Sequence, residues 1–154
     1  MLTALALASL TAPDPAHEVD NHHVDAHHVA AFLGATTRYA EEESSTHLTI
    51  GADYVFYLPV MERRIGLGAL VDATFGHELE LVVAPLFALK AVSDVQLVFA
   101  PGLAFEGGHK QFVGRLNLSY VVHLGSVSAG PSVSVDFFPH HTSLIYGLSV
   151  GTGL

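Results

Sequence analysis

The chain contains no cysteine. A disulfide framework and a thiolate metal site are therefore excluded. Positive charge is also scarce: six Lys and Arg stand against 15 Asp and Glu, a formal net charge of −9. A phosphate backbone needs the opposite balance, so nucleic acid is excluded as a partner class. Charged residues make up 14% of the sequence, against roughly 25% in ordinary soluble domains. Half of the residues are hydrophobic and mean hydropathy is +0.43. Even so, no run approaches the roughly 18 to 20 consecutive apolar residues of a membrane-spanning helix. That combination leaves a large soluble core, or a barrel in which apolar and polar residues alternate. Fourteen glycines, with many Val, Thr, Tyr and Phe, favour strands. At 154 residues the chain suffices for one domain.

Three segments are expected. Residues 1–12 (MLTALALASLTA) are apolar, too short to span, and followed by Pro13-Asp14-Pro15. They read as the apolar region of a secretory signal peptide ending at Ala12 or Ala16, although no basic start precedes them. The bland alternative is an ordinary apolar N-terminal helix. Residues 13–27 form a His/Asp-rich tail. Residues 28–154 fall into eight runs of period two, spaced as a meander of hairpins. The predicted strands are 28–39, 47–58, 65–75, 78–90, 95–105, 111–124, 127–137 and 143–154. Each has the length a tilted strand needs to cross a bilayer, roughly 9 to 11 residues.

The two faces of these strands differ in kind. In the second, Leu48, Ile50, Ala52, Tyr54, Phe56 and Leu58 oppose His47, Thr49, Gly51, Asp53, Val55 and Tyr57. In the sixth, Leu116, Leu118, Tyr120 and Val122 oppose Arg115, Asn117, Ser119 and His123. One face is apolar for a full strand length; the other is small or polar, and too poor in Lys and Glu for a soluble surface. With apolar residues inward the chain would be a soluble, lipocalin-like ligand-binding barrel, but eight strands enclose little room for them. With apolar residues outward it is an all-β, eight-stranded antiparallel up-and-down transmembrane β-barrel. Tyr39, Phe75, Phe105, Phe112 and Phe137 then fall at one level, as at a membrane–water interface.

On this strand count, this alternation and the ending Tyr146-Gly147-Leu148-Ser149-Val150-Gly151-Thr152-Gly153-Leu154, residues 28–154 resemble the small bacterial outer-membrane barrels, OmpA/OmpX-like. Such barrels usually end in Phe, whereas this chain ends in Leu154. The resemblance implies export to the outer membrane of a Gram-negative bacterium and insertion by the barrel-assembly machinery. It implies contact with membrane lipids and lipopolysaccharide, a monomer, and periplasmic termini. The connections around 40–46, 76–77, 106–110 and 138–142 would be extracellular.

Inward positions then include Arg38, Asp53, Asp72, Glu80, Lys90, Arg115, Asn117 and Asp136. Unpaired charges in a narrow barrel are costly, so Arg115 is expected to pair with Asp53, Asp72 or Asp136 and fill the lumen. Histidine forms two groups. His17, His22, His23, His27 and His28 lie in and beside the tail. His47, His77, His109, and His140 with His141 fall at or beside the four extracellular connections. Imidazole with carboxylate suits Zn²⁺, Ni²⁺ or Cu²⁺, so a divalent-metal-binding or transport-accessory role is the second functional reading. Solvated polar loops are the plainer one. No organic cofactor is expected. No G-x-S-x-G elbow, phosphate loop or zinc-protease helix motif is present, so no enzyme is expected. The leading reading is a structural or interaction barrel with a side-chain-filled lumen.

Overall fold

The computed structural model describes residues 26–39, 44–92 and 94–154. The signal-like segment and the positions His17, His22 and His23 lie outside the described residues. Eight long antiparallel strands follow one another: β1 (His27–Tyr39), β2 (Ser44–Tyr57), β3 (Ile65–Phe75), β4 (Leu79–Val92), β5 (Val95–Glu106), β6 (His109–Tyr120), β7 (Val127–Phe137) and β8 (Thr142–Gly153). Each pairs with its neighbour in sequence, β1 pairs with β8, and the sheet closes into a barrel. Closure leaves no strand edge unpaired along the wall, the condition for a β-structure to sit in lipid.

Alternation governs the two sides of the wall. Inward residues of β1 are Ala30, Phe32, Gly34, Thr36 and Arg38; outward residues include Val29, Leu33 and Tyr39. The same period holds in the other long strands. Leu33 and Leu148 are about three-fifths exposed at 60% and 62%, while Glu80, Arg115 and Asp136 are 3%, 5% and 1% exposed. Apolar residues outside and charge inside is the reverse of a soluble barrel, so the lipocalin-like expectation is corrected. The predicted aromatic level is present: Tyr39, Phe75, Phe105, Phe112 and Phe137 are exposed on the outer wall near the end opposite the chain termini.

Several predicted boundaries move. Strands β5 and β6 run on to Glu106 and His109, leaving the two-residue turn Gly107–Gly108 where a five-residue loop was expected. Strand β4 extends to Val92. The predicted strand 111–124 is broken at Val121, after which Val122–Leu124 resumes beside β7. The tail gives up His27 to β1. The connection from β2 to β3 is a left-handed turn, with φ of 50, 57 and 58° at Met61, Glu62 and Arg63.

Proline interrupts the ladder in two places, because it has no amide hydrogen to donate. Between β4 and β5 the pairs stop at Val83–Leu103 and resume at Phe87–Phe99. That register sets Pro85 opposite Pro101. The second interruption, at Pro131, lies between β6 and β7.

Candidate functional site

The lumen has an apolar half and a polar half. From β2 to β6, Val55, Tyr57, Leu70, Val82, Leu86 and Val113 pack with the small alanines of β4 and β5. On β7 and β8 the inner face carries Ser128, Ser132, Ser134 and Ser143. Small alternating side chains suit a narrow interior, where bulky ones on every strand would not fit.

Two arginines cross this space. At mid-barrel Arg115 donates to Asp136 through Nε at 2.6 Å and Nη2 at 2.7 Å, a two-pronged pair, and through Nη1 to Asp72. The paired geometry matches guanidinium to carboxylate and satisfies both buried charges. Gly51 stands beside this group: a Cβ there would overlap the Asp72 carboxylate. Asp53, the third expected partner, does not join. It faces the lumen cavity instead. Nearer the rim, Arg38 donates to Glu80 and Glu106, each at 2.7 Å. Between the two charge groups runs a hydroxyl chain, Thr36 to Thr49 at 2.5 Å and Thr49 to Thr74 at 3.0 Å. Lys90, at the terminal end, lies 4.1 Å over the Tyr57 ring, a cation–π contact.

The sequence places Glu106 at the start of the connection 106–110 and, by alternation, on the face of Gln96, Ala100 and Ala104; the structure keeps that face and extends β5 to include it. Period two was the signal, and it ran one residue further than expected. Phe138 falls in the predicted connection 138–142, where alternation gives no signal for its direction. It follows the last outward residue of β7, folds inward to 9% exposure and stacks on His141 at 4.3 Å. A backbone bond from Phe138 N–H to the His141 carbonyl, 3.0 Å, closes this loop over the mouth.

The histidines are separated. His27 and His28 are consecutive strand residues and so point to opposite faces. The His27 ring contacts Tyr54 outside, with Nδ1 2.6 Å from its hydroxyl, while His28 Nε2 lies 3.1 Å from Ser128 Oγ inside. At the rim, His47 and His77 line one crevice of about 350 Å³ with Arg38, Glu78 and Glu106. His109 and His140 lie outside it, exposed, and His141 is taken up by Phe138. Among the described residues no group of three or more His, Asp or Glu is placed to hold a metal ion. Four-way convergence of the rim histidines is thus not what the fold produces. Burial, and next the Arg38 guanidinium, hold the His141 imidazole below its ordinary value, against the pull of Glu106 and Asp136. Its Nε2, Arg38 Nε and Ser143 Oγ are buried without a hydrogen-bond partner among the described residues.

Inverted polarity, full closure and eight strands define the fold of a small transmembrane β-barrel. Solved structures agree. The chain is similar to Neisserial surface protein A (TM-score 0.60, 7% identity, 84% of this chain and 97% of that one). It is also similar to Ail, the attachment invasion locus protein of Yersinia pestis (TM-score 0.62, 9% identity, 83% and 98%). A de novo designed protein, TMB2.3, matches at TM-score 0.56 with 15% identity over 82% and 95%. No protein-family model and no curated relative matches the chain. At these identities the likeness is one of fold.

Proposed function

We propose that the chain is an integral outer-membrane barrel, closed to solutes, with a structural or interaction role. One observation carries this reading. Arg38 and Arg115 each bridge two carboxylates from different strands, at two levels, and so fill the lumen with bonded side chains. Eight strands enclose an interior narrow enough for side chains to fill. The apolar exterior and the aromatic level support a membrane setting, and the outer-membrane neighbours support that membrane in particular. In this reading residues 1–12 direct export, the barrel-assembly machinery inserts the chain, and the monomer contacts lipid and lipopolysaccharide. Its termini face the periplasm, and the other rim, with His77 and His140 in short connections and His47 and His109 in the adjoining strand ends, faces outward.

Conductance in planar lipid bilayers tests the closed lumen. Purified folded protein is expected to give no large, steady single-channel current. Such a current would overturn the reading. Fractionation tests the setting: the protein is expected in the outer-membrane fraction, with heat-modifiable migration on gels, and recovery from the soluble periplasm would refute it.

A further inference from the structure

Two spaces meet the charged section of the lumen from opposite sides. On the rim side lies the crevice lined by Arg38, Thr74 and Glu106. On the terminal side lies a polar cavity of about 80 Å³, lined by Asp72, Arg115, Asn117 and the serines of β7. It reaches His28 and Gln96, both partly exposed near the terminal ends of β1 and β5. Such a volume holds roughly five to eight water molecules at 10 to 15 Å³ each. The partition between the two spaces is thin. Thr74 of the crevice and Asp72 of the cavity are successive inward residues of β3, roughly 7 Å apart along the strand.

Hydroxyl and carboxyl groups make up that partition. Thr74 stands directly opposite Glu80 in the ladder and lies in the bonded chain with Thr49 and Thr36. Across the barrel, Ser143 stands directly opposite Arg38 of β1 and Asp136 of β7. It is buried, and its Oγ has no hydrogen-bond partner among the described residues. Opposed side chains on one face have Cβ atoms roughly 4.5 to 5.5 Å apart, a gap that one hydroxyl or one water spans. Two lines therefore lead from crevice to cavity, one through Glu80, Thr74 and Asp72, the other through Ser143 and Asp136. Beyond Asp136, Ser134 and Ser132 accept hydrogen bonds from Asn117 at the cavity wall, each at 2.7 Å.

We propose that the lumen passes protons between its two ends while excluding larger ions. The proposal rests on the closed-lumen reading above. A hydroxyl donates one hydrogen and accepts on its lone pairs, so it relays a proton without leaving its place. A proton taken up by Glu106 or Glu80 at the rim moves on as each hydroxyl binds one proton and releases its own. Asp72 or Asp136 then hands a proton to cavity water. One proton enters, one leaves, and every group returns to its starting state. Potassium or chloride needs a water-filled passage, and the bonded arginines occupy that space. Each arginine is itself held by two carboxylates, so neither stands as an uncompensated positive barrier. Glu80, Glu106, Asp53, Asp72 and Asp136 outnumber Arg38, Arg115 and Lys90, a field that favours a cation.

The test uses the full folded protein in lipid vesicles that enclose a pH-sensitive dye. The outside is acidified, with valinomycin and potassium present to balance charge. The vesicle interior is expected to acidify faster than in protein-free vesicles. Thr74→Val with Ser143→Ala, which removes the hydroxyl of each line, should return the rate to the protein-free level while the barrel stays heat-modifiable. Thr74→Ser with Ser143→Thr keeps both hydroxyls and should keep the flux. A proton flux no faster than that of protein-free vesicles overturns the proposal and leaves the closed lumen standing. A flux that survives loss of both hydroxyls overturns the assigned route. Potassium or chloride released from vesicles without valinomycin, at a rate matching the proton flux, overturns the selectivity and the closed-lumen reading together.

Discussion

Arg115 holds two carboxylates where neither reaches bulk water. Removing it leaves two buried negative charges facing each other, a loss of about 3 to 5 kcal/mol by analogy with broken buried pairs. Arg115→Met is therefore expected to lower the urea midpoint of the barrel in lipid vesicles. Adding Asp72→Asn and Asp136→Asn should restore part of that loss, because the stranded charges go with them. Gly51 makes the same arrangement possible by leaving space for the Asp72 carboxylate. Gly51→Ala is expected to cost about 1 to 3 kcal/mol through overpacking, and much less in an Asp72→Ala background. A double-mutant cycle on the two positions measures that coupling; additive effects would count against it.

At the scale of strands and loops, depth decides what a substitution costs. Val71 lies mid-strand on the outer face of β3, and Phe75 ends the same strand at the aromatic level. Val71→Arg is expected to cost about 2 to 4 kcal/mol and Phe75→Arg about 0 to 1, following the depth dependence of lipid-facing charges. Unfolding from lipid vesicles checks the contrast, and equal costs would argue against a bilayer around the wall. The β7–β8 loop responds to pH instead. Its folded position favours neutral His141, whose affinity for a proton is lowered there from the ordinary 6.5. Loop closure is thus fully stabilised above about pH 6.5, the solvent-exposed value, and weakens as pH falls below it toward the lowered value. The protection factor of the Phe138 amide, its slowing relative to the intrinsic rate at the same pH, should fall on acidification, and His141→Phe should remove that fall.

For the molecule as a whole, the wall was largely legible and the interior less so. Strand number, meander order and the outward face follow from period two, since side chains in a strand have only two directions. Period two therefore directs Arg38, Asp53, Asp72, Glu80, Arg115 and Asp136 into the lumen. Which of them meet was not legible. Pairing across the lumen depends on stagger and barrel closure, and these bring Arg115 of β6 to Asp72 of β3 while leaving Asp53 of β2 aside. The rim histidines show the same limit. Loop sequences place them at one end of the barrel, but their distances apart depend on where each strand stops.

By itself, then, the sequence determined a closed eight-stranded wall with apolar residues facing out, because alternation and the scarcity of charge allow little else. Only the tertiary structure decided the bonded partners of the two lumen arginines, the inward fold of Phe138, and the break in the ladder at Pro131. Those depend on contacts between strands distant in sequence, and on a ladder that loses its bonds where proline has no hydrogen to give.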